Sequence, residues 1–103
     1  MKLYIDTSSS EKVIVGVDGE MFESDSKKEK SQRLLPFIQE VLEKKEKQLE
    51  DVTEIEVNLG PGSFTGLRVG VAVAQALGWS LKVPVNGKDV EKETLEIVYN
   101  ERD

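Results

Sequence analysis

The chain has 103 residues and a formal net charge of −6, with 14 lysines and arginines against 20 acidic residues. That length allows one domain around a single modest core, and the acidic balance excludes unaided nucleic-acid binding, which needs a basic face for phosphate. Cysteine and histidine are both absent, which removes disulfides, thiolate chemistry, the usual acid–base group at neutral pH and the commonest metal ligand.

Lys2-Leu3-Tyr4-Ile5-Asp6 opens the chain as a short apolar strand, and Thr7-Ser8-Ser9-Ser10 follows as a polar turn. No basic stretch leading into an apolar one precedes it, so the expected setting is the cytoplasm. Lys12-Val13-Ile14-Val15-Gly16-Val17 is rich in β-branched residues and reads as a second strand. Asp18-Gly19 is a two-residue hairpin signal, so Glu20 to Ser24 should return as a third strand. The mixed-charge cluster Lys27-Lys28-Glu29-Lys30 reads as a solvated face, as does Lys44 to Lys47. Between them a helical period predicts a helix over 31–48, with Leu34, Leu35, Phe37, Ile38, Val41, Leu42 and Leu49 within ~160° of the wheel. Glu54 to Leu59 alternates polar with apolar, as a half-buried strand does.

Gly60-Pro61-Gly62-Ser63 is a turn followed by a helix start. Proline removes a donor and fixes φ, glycine accepts positive φ, and the Ser63 hydroxyl can cap the first turn. The predicted helix over 63–81 is apolar in every direction, with Arg68 and Gln75 its polar patch beside Phe64 and Trp79. A helix apolar all round is buried all round. A stripe of Gly66, Gly70, Ala74 and Gly78 lets another backbone come close. The helix therefore reads as pressed between its own sheet and a second protein. Gly66, Gly70, Val71 and Ala74 join Phe64, Arg68, Gln75 and Trp79 as the candidate partner interface. Lys82-Val83-Pro84-Val85-Asn86-Gly87 predicts a further short parallel strand, and Leu95 to Tyr99 an added strand or a helical turn. The element order is βββ, α, β, α, β. It predicts an α/β layered domain of the ribonuclease H-like kind, a five-stranded mixed sheet with both helices on one face.

Two motifs invite nucleotide chemistry. Gly60 to Gly66 lacks the lysine of a phosphate loop, since Gly66 is followed by Leu67-Arg68, so the structural turn is the better reading. Asp6 and Thr7 close the first strand, where a carboxylate could hold Mg²⁺ through water and a hydroxyl could bond phosphate. The plainer reading is a turn in which Asp6 accepts backbone N–H groups.

Leu3-Tyr4-Ile5-Asp6-Thr7-Ser8, Leu34-Leu35-Pro36 and above all Gly60-Pro61-Gly62-Ser63-Phe64-Thr65-Gly66-Leu67-Arg68-Val69-Gly70 resemble the TsaB family. The likeness covers roughly residues 2 to 87. It implies an actin-like, ribonuclease H-like lobe over 1–87, followed by a tail over 88–103. It also implies a protein with no catalysis, metal or cofactor of its own, acting in threonylcarbamoylation of the tRNA adenosine beside the anticodon. Such proteins pair with the related catalytic protein TsaD through a four-helix bundle, and the ATPase TsaE joins the pair. tRNA is then met only through the complex, and no membrane is involved. The family's second lobe has no counterpart in these residues, and its usual histidine before the serine opening the first helix is Lys30 here. Two other classes compete: a small nucleotide hydrolase or protease, against which the missing His and Cys tell, and a module that forms an isologous homodimer.

Overall fold

The alternation of apolar and polar residues decides which way the sheet faces. In the computed structural model, which describes residues 1–25 and 30–98, strand β1 spans Lys2–Asp6 with Leu3 and Ile5 fully buried. Strand β2 (Lys12–Val17) pairs antiparallel with β1, setting Val15 opposite Ile5 and Val17 opposite Leu3. Asp18 at φ 49° and Gly19 at φ 91° turn the chain into β3 (Glu20–Asp25), the two-residue hairpin that Asp-Gly favours. Strand β4 (Glu54–Val57) pairs parallel with β1, with Ile55 beside Leu3 and Val57 beside Ile5. The sheet order is β3-β2-β1-β4, and all these buried side chains share one face.

Both helices cover that face. Helix α1 (Lys30–Lys44) packs Leu34, Phe37, Ile38, Val41 and Leu42 into the core, chiefly over β2. Helix α2 (Phe64–Leu81) lies over β4 and β1 and touches α1. Burying each large side chain contributes about 1.5–3 kcal/mol, so this face holds the domain together.

Among the described residues the sheet has four strands, not the five expected. Lys82 is the left-handed C-cap of α2 at φ 59°, and Asn86 at φ 52° and Gly87 at φ 77° turn the chain again. Only Val83 to Val85 can extend between those turns, and Pro84 has no N–H to donate. The fifth strand is therefore reduced to one parallel bridge between Val85 and Ile55. Helix α1 also ends earlier than 48: Glu46 is left-handed at φ 57°, and a short 3-10 turn, Leu49–Asp51, follows. Leu49 continues the apolar pattern from that turn, packed against the core.

The patch beginning at Leu95 is neither strand nor helical turn. Residues 93–98 take no regular structure, yet Leu95 is buried and the Val98 N–H donates to the Leu59 carbonyl at 2.7 Å. The charged cluster at 26–29 and the end of the tail at 99–103, including Tyr99, lie outside the described residues.

Candidate functional site

Two loops meet at the carboxyl ends of β1 and β4, and their polar groups are spent on each other. The Asp6 carboxylate accepts the Ser8 N–H at 2.9 Å and the Ser8 hydroxyl at 2.7 Å, while the Tyr4 hydroxyl reaches its other oxygen at 3.3 Å. Partial burial works to raise the Asp6 pKa, but the bonds from Ser8, Asn58 and Tyr4 outweigh it and hold the carboxyl below its ordinary value. Burial, then the Asp6 charge, pushes Tyr4 up to about 12. Thr7 is fully buried and its hydroxyl donates to the Gly66 carbonyl at 2.5 Å. Asp6 and Thr7 thus build a turn and tie β1 to α2.

The glycine turn is shaped by the same apposition. Gly60 sits at φ 112°, where an L side chain is strained, and a Cβ there would meet the Val98 carbonyl. A Cβ on Gly62 would come within 2.6 Å of the Ser8 Cβ, and the Ser63 N–H donates to the Ser8 carbonyl at 2.8 Å. The Gly60–Pro61 peptide is cis. Ser63 caps α2 by accepting the Gly66 N–H at 3.3 Å. Gly60, Pro61, Gly62 and Ser63 therefore form a structural corner that aims α2 across the sheet.

Helix α2 has two unlike sides. Gly66, Leu67, Gly70, Val71, Ala74 and Gly78 are buried. A Cβ on Gly70 would strike the Thr7 hydroxyl, and one on Gly78 would strike Val85. The small-residue stripe faces the chain's own sheet, so Gly66, Gly70, Val71 and Ala74 lie away from the outer surface. Phe64, Thr65, Arg68, Ala72, Ala76 and Trp79 are exposed on the opposite arc, with Gln75 at its margin. Trp79 is 64% exposed and Phe64 48%. The Arg68 guanidinium lies over the Phe64 ring, 5.3 Å from its centroid.

Beside this arc, α1 and α2 leave an open groove of about 440 Å³ lined by Ser31, Phe64, Thr65, Arg68, Val69, Ala72 and Val73. Leu35, one turn beyond Ser31 on α1, is 46% exposed. Ser31, Leu35, Val69, Ala72 and Val73 extend the surface beyond the residues singled out from sequence. On α2 a signal was present: that helix has no acidic residue or lysine, and Ala72 stands exposed while Val69 and Val73 are only partly buried against the core. Among the described residues no group of three His, Cys, Asp or Glu could hold a metal, and no helix is long and apolar enough to cross a membrane.

The family whose profile matches residues 16–88 is described as TsaD, tRNA N6-adenosine threonylcarbamoyltransferase. The tRNA threonylcarbamoyladenosine biosynthesis protein TsaB of Buchnera aphidicola subsp. Schizaphis graminum is 41% identical over 61 residues, 59% of this chain and 29% of that protein. TsaB of Escherichia coli K12 is 38% identical over 60 residues, 58% of this chain and 26% of that protein. Among solved structures, YeaZ from Pseudomonas aeruginosa superposes with a TM-score of 0.69 at 32% identity, covering 82% of this chain and 41% of its own. The chain spans less than a third of the length of these two curated relatives.

Proposed function

This chain belongs to the tRNA N6-adenosine threonylcarbamoyltransferase family, among its TsaB-type members, and from that premise we propose that it is a non-catalytic subunit in threonylcarbamoyladenosine biosynthesis. It acts in the cytoplasm by pairing with TsaD, and TsaE joins the pair. tRNA is met only through that complex, and the chain brings no metal or cofactor. Residues 1–87 form the lobe that does this, with 88–103 as its tail.

The observation that carries the reading is the outer arc of α2. Its sole charge is Arg68, and it presents Phe64 and Trp79 at either end of an 18-residue helix. Aromatic and arginine side chains in such a setting are the usual anchors of a protein interface. The groove beside α1 gives a partner helix somewhere to seat an apolar side chain. A supporting role also fits the strand ends, where the Asp6 carboxylate and Thr7 hydroxyl serve the chain's own turns.

The test is to mix the purified chain with TsaD, follow association by size-exclusion chromatography with light scattering, and then assay tRNA modification. A one-to-one complex is expected. Arg68→Ala should weaken association and lower modification together, with the isolated fold intact. Full-strength association with lost modification would give Arg68 a part in the active site and end the reading of a purely supporting subunit. Self-association through the same helices, with no TsaD complex, would favour an isologous dimer instead.

A further inference from the structure

The outer edge of β4 is the place where the sheet stops, and the way it stops is specific. Backbone groups of alternate residues on a strand point to opposite edges. Directly after β4 the Asn58 N–H donates to the Ile5 carbonyl of β1, so Ile55 and Val57 on the strand, and Leu59 beyond it, direct their groups outward. Unpaired outward groups are a template for a strand from another chain.

Each level of that edge is met by a different device. At Ile55 the N–H donates to the Pro84 carbonyl at 2.9 Å and the carbonyl accepts the Asn86 N–H at 2.8 Å, the one true bridge. One level on, no backbone among the described residues bonds the strand. The Asn86 side chain accepts the Val57 N–H at Oδ1, 2.8 Å, and donates from Nδ2 to the Val57 carbonyl, 3.1 Å. A carboxamide carries the same donor and acceptor as a peptide group, so Asn86 stands in for the next residue of a strand that is not there. At Leu59 the carbonyl accepts the tail's Val98 N–H.

Asn86 can do this because of its own backbone. It sits at φ 52°, a region asparagine tolerates better than most residues, and Gly87 follows at φ 77°. Val85 and Lys88 exchange backbone bonds in both directions at 2.9 Å, closing a two-residue Asn-Gly turn. The turn swings the main chain away from β4 and swings the side chain onto it.

We propose that the Asn86 carboxamide is a stopper: it ends the sheet at β4 and closes that edge to any added strand, including one from a second copy of this chain. The inference rests on the backbone of β4 and is independent of the reading of the α2 surface.

The experiment is residue-resolved amide exchange on the full chain, with particle mass measured by light scattering at matched concentrations. In the native chain the Val57 N–H should exchange at least ~100-fold more slowly than an unprotected amide. Asn86→Gly keeps a residue at ease with positive φ and deletes the carboxamide. It should speed Val57 exchange by ~10-fold or more, leave Ile55 within about threefold, and add larger species absent from the native chain. Unchanged Val57 exchange in the variant, or faster exchange with no larger species, would overturn the proposal. Should the variant fail to fold, the native chain decides: slow exchange at Val57 supports the stopper, and loop-like exchange there contradicts it.

Discussion

Helices α1 and α2 lie side by side on the same face of the sheet, yet their outer sides were built for different surroundings. The outer side of α1 carries exposed Gln32, Gln39, Glu40, Glu43 and Lys44, and Arg33 pairs with Glu40 at 3.2 Å. That is how a helix faces water. The outer side of α2 carries Phe64, Ala72, Ala76 and Trp79 around a single arginine. The inner sides differ as well. Leucine, isoleucine and phenylalanine hold α1 above β2, whereas glycine and alanine let α2 settle close enough for Thr7 to bond its first turn. Helix α2 turns glycine and alanine inward and aromatics outward, and the proposed partner surface rests on that arrangement.

The contrast can be broken or sharpened by substitution. Ile38→Ala, in the inner side of α1, removes a fully buried side chain and should cost about 2–5 kcal/mol in urea unfolding. A loss near zero would mean that α1 is not anchored by that side. Gly70→Leu tests the inner side of α2. The added atoms meet Thr7, so roughly 1–3 kcal/mol of overpacking should appear as a lower thermal midpoint. An unchanged midpoint with lost TsaD binding would turn the stripe outward after all.

That inward stripe shows what the sequence could and could not reveal. The Gly-Pro-Gly turn, the Ser63 cap and the span of α2 were legible because each depends on local backbone chemistry. Spacing showed that Gly66, Gly70, Ala74 and Gly78 share one side. Which neighbour that side meets depends on Thr7 and Val85, distant in sequence, and no local rule supplies it. The strand expected over 82–87 failed for a related reason. Its β-branched residues fit a strand, but left-handed Lys82 and Asn86 leave only three residues between two turns. Asn86 falls within that expected strand, and the bonds of its carboxamide to Val57 lay beyond the sequence, since a side chain replacing a strand residue has no spacing signature.

Smaller effects separate the two outer sides. Phe64→Ala and Trp79→Ala should each weaken TsaD association by about 1–2 kcal/mol, roughly 5- to 30-fold in Kd by calorimetry. Their fold stability should stay within about 0.5 kcal/mol of the native chain. Equal losses of stability and binding would place those rings in the fold instead. Glu40→Ala, on the outer side of α1, removes a solvent-exposed ion pair and should move either quantity by less than about 1 kcal/mol. A larger loss of binding would extend the interface along the whole of α1.

The most direct measurement uses Ala72, which is exposed in the middle of the outer arc of α2 and lines the groove. Ala72→Asp places one carboxylate where the account requires a dry contact, at a position where water would accept it without cost to packing. Calorimetric titration of native and variant chains with TsaD, beside their thermal unfolding, gives the answer. The account expects Kd to rise by on the order of tenfold or more with the unfolding midpoint nearly unmoved. A variant that binds TsaD as tightly as the native chain would contradict it.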